Sequence, residues 1–239
     1  MLSKEELRYR ALQPLDALDE RTGLVEFHKW FLFRNVPKGL SWLHTLGFCL
    51  LIVFVLQVIT GVILAMVYEP SADRAYESIQ AITMTHPWGW LVRGMHKWGA
   101  SMMIVLMFLH MAASFVMGAY RYPRELTWIS GVLIFAMAMG MGFTGYLLVW
   151  DQRAFWASVV GININGSAPF LGPFIAEFFR GGSEYDGGII ARFYSIHMLQ
   201  IPLALGGLIG LHMYLVTRLG VTPAPWAKDD PANDPEAWS

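Results

Sequence analysis

The sequence predicts an all-α membrane protein: four transmembrane helices forming a bundle, an N-terminal amphipathic surface helix, and short interfacial helices between spans three and four. Three observations carry this. The 239-residue chain is 55 % hydrophobic and only 15 % charged, against about 25 % charged in ordinary soluble domains. Its apolar residues gather into four runs, each exceeding the roughly 20 residues that cross a bilayer core. Those runs also carry paired residues at nearly constant intervals: glycines in the first and third, histidines in the second and fourth.

Taken in order, the chain divides into a cytoplasmic N-terminal segment (1–38), the four-helix domain (39–220) and a polar cytoplasmic tail (221–239). The first segment lacks the apolar core and small-residue cleavage site of a signal peptide. Within it, residues 24–36 mix Phe, Trp and Leu with Arg and Lys, as a helix lying at a membrane surface does. Span one covers about 41–67 and has no charged residue. Residues 68–88 read as a polar connection bounded by Pro70 and Pro87. Span two covers about 90–119, and Pro123 then breaks the chain. Span three covers about 128–150. Two short interfacial helices follow over 151–180, interrupted by NINGSAP, and a GGSEYDGG turn leads into span four, about 192–217, which contains Pro202.

Seven Lys and Arg lie in the N-terminal segment, two in the 120–128 loop and two near the C-terminus, eleven of the seventeen. The positive-inside rule then places both termini in the cytoplasm and runs spans two and four in the same direction. His96 and His110 are fourteen residues apart in span two; His197 and His212 are fifteen apart in span four. At about 100° per residue each interval is close to four turns, so each helix shows two imidazoles on one face, roughly 20 Å apart along the axis. Side by side, the helices form two His–His pairs, His96 with His197 and His110 with His212. Such pairs form a cage for two stacked haems, each between axial imidazoles. Ionisable groups inside a membrane are costly and mark functional sites. His28, His44 and His86 lack partners at matching depth and read as interfacial. Gly47 and Gly61, and Gly131 and Gly145, are each fourteen apart. Their faces suit close approach either to a neighbouring helix or to flat rings at two depths. The single cysteine, Cys49, leaves no disulfide, thiolate-zinc or CxxCH site, and a net charge of −1 argues against nucleic acid.

These residues, with QVITG (57–61), RGMHKWGASMM (93–103), PRELTW (123–128), TGYLLVWDQRAFWA (144–157) and ARFYSIH (191–197), closely resemble the cytochrome b family of quinol:cytochrome c and plastocyanin reductases. The resemblance is closest to its short four-helix cytochrome b6 form and covers about residues 25–220. It implies a low-potential b haem held by His96 and His197 near the outer face and a high-potential one held by His110 and His212 near the cytoplasmic face. It implies that Arg93 pairs with a propionate of the outer haem and that Gly47, Gly61, Gly131 and Gly145 leave room for the porphyrins. Differences from the family pattern are Thr45 where the b6 form has the cysteine of a covalent third haem, Ala113 for an arginine, and Val149 for the proline of its LPW turn. The later quinol-site helices of a full-length cytochrome b are missing. The resemblance therefore implies a subunit IV-like membrane partner, a Rieske iron–sulfur protein and a c-type cytochrome, in a homodimeric complex surrounded by lipid and quinone in a bacterial-type energy-transducing inner membrane.

The function so implied is a Q cycle: quinol oxidised at the outer side, electrons carried inward through the two haems, quinone reduced at the cytoplasmic side. Tyr146, Phe155 and Trp156 are candidates to line the quinol pocket, or equally to anchor the chain at the interface. A second class, a dihaem anchor for a dehydrogenase or hydrogenase, shares the histidine cage but not the PRELTW or TGYLLVWDQ motifs. A transporter or assembly factor using the histidines structurally is a third.

Overall fold

The structure, a computed structural model, describes residues 19, 20, 22, 23, 40–182 and 184–227. The surface helix expected over 24–36 and most of the tail lie outside the described residues. Among the described residues, four helical runs are long and apolar enough to cross a membrane: Trp42–Ala65, Gly89–Val116, Glu125–Leu147 and Gly188–Leu219. They coincide with the four expected spans, the third and fourth beginning a few residues early. No strand occurs among the described residues.

A 3₁₀ turn at Trp42–Thr45 leads into α1 (Leu46–Ala65). Then come α2 (Ala75–Met84), α3 (Gly89–Val116), α4 (Glu125–Leu147), α5 (Gln152–Gly166) and α6 (Gly172–Arg180). The last span consists of α7 (Gly188–Ser195), a π turn (Ile196–Gln200) and α8 (Ile201–Leu219). The helices pack as two intimate pairs, α1 on α3 and α4 on α8, with much lighter contact between α3 and α4. Where the pairs meet, Val53, Met103, Met107, Ile134, Ala138 and Leu205 form one apolar cluster halfway along the spans.

Three local expectations change. The connection over 68–88 contains a helix, α2, because Ala75, Ser78 and Ile82 recur on one helical face and bury against α3. The stripe is short and two of its residues are small, so composition hides it. The NING stretch does not interrupt the interfacial pair. It is the last turn of α5, with Asn165 Nδ2 donating to the Gly161 carbonyl at 2.8 Å, and the break falls at Ser167–Leu171. Asp151 starts α5 by accepting from the Ala154 amide at 2.8 Å, and Gly181, at φ 87°, ends α6.

The third change is the π turn, which holds His197 and ends just before Pro202. In an uninterrupted α-helix the Pro202 ring would press on the Met198 carbonyl; the wider turn relieves that contact. It also absorbs one residue. Fourteen α-helical residues fall about 40° short of four turns and fifteen overshoot by about 60°. With one residue absorbed, the fifteen-residue interval from His197 to His212 presents its ends as the fourteen-residue interval of α3 does.

Candidate functional site

Each half-bundle supplies one helix of glycines and one of histidines, and every glycine faces one imidazole. A Cβ on Gly61 would stand 3.2 Å from His96 Cε1, and one on Gly47 would stand 3.3 Å from His110 Cε1. In the other half, a Cβ on Gly145 would stand 2.6 Å from His197 Cε1 and one on Gly131 would stand 3.4 Å from His212 Cε1. The nearest neighbour of each glycine is thus the edge of an imidazole, and the missing side chain lets the ring lie against the helix backbone. This refines the expectation that the glycines face porphyrin.

The two halves bring the histidines together at two levels. At the level called upper here, the His96 and His197 rings lie 6.3 Å apart between centroids and nearly perpendicular, at 79°. At the lower level, His212 lies near enough to His110 to act on it electrostatically.

Three of the four rings are also held at the nitrogen that would not face a metal. Thr60 Oγ1 lies 2.9 Å from His96 Nδ1, Thr144 Oγ1 lies 3.1 Å from His197 Nδ1, and Ser130 Oγ lies 2.9 Å from His212 Nδ1. Each hydroxyl has one proton. Thr60 gives it to the Leu56 carbonyl (2.6 Å), Thr144 to Gly140 (2.8 Å) and Ser130 to Thr127 (2.8 Å). The hydroxyl oxygen therefore accepts, Nδ1 carries the ring hydrogen, and Nε2 keeps its lone pair. Among the described residues no such bond reaches the His110 ring; the residue before its glycine is Leu46, buried and apolar. The sequence reading missed Thr60, Ser130 and Thr144. Their signal was a hydroxyl residue immediately before three of the four paired glycines.

The upper level has the spacing that a haem needs. A metal bonded at about 2 Å to each of two imidazole nitrogens needs ring centres about 6 Å apart, which the upper pair provides. Gln57, one turn from Gly61 and lying against Gly99, is buried with an amide nitrogen that has no partner, so a donor remains free beside the upper level. Arg93, one turn before His96, donates from Nη1 to Thr83 Oγ1 on α2 at 3.1 Å. Tyr68 donates to the Leu148 carbonyl at 2.7 Å, and burial, with Tyr194 beside it, pushes its phenol up, so it stays protonated at neutral pH.

Phe155 packs edge-on between Trp150 and Trp156, while Tyr146 and Trp156 are exposed. A separate apolar cleft of about 210 Å³ lies beside Thr144, lined by Phe143, Gly161, Phe179, Phe193 and Ile196 among others. Thr45 bonds the Trp42 carbonyl at 2.6 Å and Cys49 is half-buried. His44 caps its own turn through Ser41, and His86 is exposed.

The family model described as Cytochrome b/b6/petB matches residues 32–220. The menaquinol:cytochrome c reductase cytochrome b subunit of Geobacillus thermodenitrificans is 39 % identical over 215 residues, 87 % of this chain and 96 % of that protein. Cytochrome b6 of Trichodesmium erythraeum is 35 % identical over 85 % of this chain and 92 % of its own. A solved structure of a hyperthermophilic respiratory Complex III superposes with a TM-score of 0.81 at 31 % identity, over 93 % of this chain but only 59 % of that one. The chain thus spans nearly all of its short relatives and little more than half of this longer one. With four apolar helices and a match that runs through both histidine pairs, the chain is an integral membrane protein of the cytochrome b/b6 family.

Proposed function

We propose that this chain is the electron-transfer subunit of a quinol-oxidising cytochrome bc complex, with His96 and His197 holding one b haem and His110 and His212 a second. The observation that carries this is the pairing of the four histidines at two depths, each backed by a glycine of its own half-bundle. Held there, two haems supply reversible one-electron acceptance at two depths, joining quinol oxidation on one side of the membrane to quinone reduction on the other. With two imidazoles at each level to hold it, a haem would keep no position open, which suits electron transfer over oxygen chemistry.

The chain's own residues do the rest. The glycines fix ring depth, the hydroxyls fix ring orientation, and the apolar cluster between the levels keeps water out. Arg93, one turn before His96, would pair with a carboxylate of the group held there. Residues 145–160 line the quinol pocket together with a second membrane subunit; Tyr146 and Trp156 are exposed for that contact. The charge distribution of the loops puts the upper level toward the outer face and both termini in the cytoplasm. A Rieske iron–sulfur protein and a c-type cytochrome complete the chain of acceptors in a homodimeric assembly. Thr45 and Cys49 do not reproduce the covalent haem attachment of the b6 form.

Two b haems per copy of this chain, counted as pyridine haemochrome in the purified complex, with two separate midpoints in an α-band titration, are expected. His110→Ala or His212→Ala removes only the lower haem. A variant that keeps two normal haems would falsify the ligand assignment.

A further inference from the structure

The four imidazoles are held unequally. Both upper rings donate Nδ1–H to a hydroxyl, Thr60 for His96 and Thr144 for His197; only one lower ring does, His212 to Ser130. The fourth position of the same pattern, the residue before Gly47, is Leu46, and it gives His110 no acceptor. The pattern is otherwise regular: a hydroxyl residue, then a glycine, then a facing imidazole on the paired helix. The exception is local to one ring of one level.

We propose that Thr60, Thr144 and Ser130 are positioning residues that tune the two haems, and that Leu46, by withholding a hydrogen bond from His110, contributes to the difference in reduction potential between the levels. The proposal deepens the functional reading above and rests on it. The physical link is ligand basicity. An imidazole whose N–H is given to an acceptor is a stronger donor through its other nitrogen. Stronger donation favours the more positive, oxidised iron, and second-shell hydrogen bonding is one of the levers that set haem potential. Two bonded ligands at the upper level and one at the lower level therefore bias electrons from upper to lower. The Nδ1 bonds also hold each ring's rotation about its own axis, which the glycine opposite does not do, since a Cβ-free face permits the ring to turn.

The test is a redox titration of the intact purified complex, with midpoints assigned to levels through His212→Ala, which keeps only the upper haem. Thr60→Val and Thr144→Val keep the side-chain shape and remove the acceptor. Each is expected to shift the upper haem's equilibrium toward reduction by roughly tenfold, about 59 mV for one electron, and to leave the lower midpoint in place. Thr60→Ser keeps the hydroxyl and is expected to leave both midpoints unchanged. Ser130→Ala is expected to raise only the lower midpoint. Leu46→Thr supplies the missing acceptor and is expected to lower it. Loss of only the upper haem in Thr60→Val, with retention in Thr60→Ser, also supports a positioning role. Two haems with unmoved midpoints in Thr60→Val and Thr144→Val would overturn the proposal, leaving the hydroxyls as ordinary intrahelical bonds. A parent complex with fewer than two b haems would overturn the functional reading first, before any of these variants is compared.

Discussion

At the scale of single residues, the site is a set of four cradles whose tightness differs, and that difference is testable. A methyl group at position 145 would lie 2.6 Å from His197 Cε1, at 61 and 47 it would lie 3.2 and 3.3 Å from His96 and His110, and at 131 it would lie 3.4 Å from His212. Gly145→Ala should therefore lose most of the upper haem, Gly61→Ala and Gly47→Ala part of the upper and lower haem respectively, and Gly131→Ala almost none. Haem counts per chain, with spectra resolved by level, give the ranking; a severe Gly131→Ala beside a mild Gly145→Ala would contradict the cradle geometry. The positions of these glycines and histidines were legible in the sequence because a helix converts linear spacing into depth and face. The hydroxyls were present in the same stretches but unread, since Ser and Thr in apolar helices commonly bond their own carbonyls. Here they do so and still accept from a neighbour. Tyr146, Phe155 and Trp156 stand in the sequence as aromatics near one end, but spacing alone does not separate a pocket wall from an interfacial belt. The structure puts Phe155 in a ring cluster and leaves the other two exposed.

At the scale of elements, the π turn reconciles two intervals that a straight α-helix would leave about 100° apart. It places His197 at the point where the helix widens, as π turns at functional sites do. Deleting Leu199 should convert the turn to α-helix and shorten the interval to fourteen residues. The expected result is a complex that keeps both haems but is less stable by up to about 3 kcal/mol, because Pro202 then presses on the preceding turn. Inserting an alanine after Met103 in α3 should instead rotate His110 by about 100° relative to His96 and empty one level. Haem counts and thermal melts of both variants separate the outcomes; loss of a haem in the Leu199 deletion would show that the turn does more than adjust register. The four spans were readable from apolar length alone. The π turn was not, because no residue type marks a widened turn, and only the odd fifteen-residue interval with a proline beside it hinted at one. Helix α2 escaped for the opposite reason: its buried stripe of Ala75, Ser78 and Ile82 is too short and too small to stand out from a polar connection.

At the scale of the whole bundle, the outward faces are largely apolar, with Phe48, Ile52, Val62 and Val105 among many exposed side chains suited to lipid or a membrane partner. Inside, the architecture is a duplication in geometry: α1 serves α3 as α4 serves α8. That four-helix organisation follows from the four apolar runs, and its two depths from the glycine and histidine spacing. The division into two half-bundles does not, because spacing reports depth within a helix and says nothing of how intimately two helices pack. The division carries a consequence for assembly. Each half keeps its own glycine–histidine packing, and the halves meet through the mid-span cluster and the facing imidazoles. Cutting the chain between Tyr120 and Arg121 should yield two fragments that each hold half of every ligand pair and complete neither. Co-expressed in membranes, they should co-purify when haem synthesis is intact and part when it is blocked, with a pull-down on either fragment as the measurement. Association that ignores haem supply would show the apolar cluster to be sufficient by itself. On the expected outcome the protein behaves as a two-key lock, in which neither half retains the cofactor alone and the cofactor is what certifies that both halves have arrived.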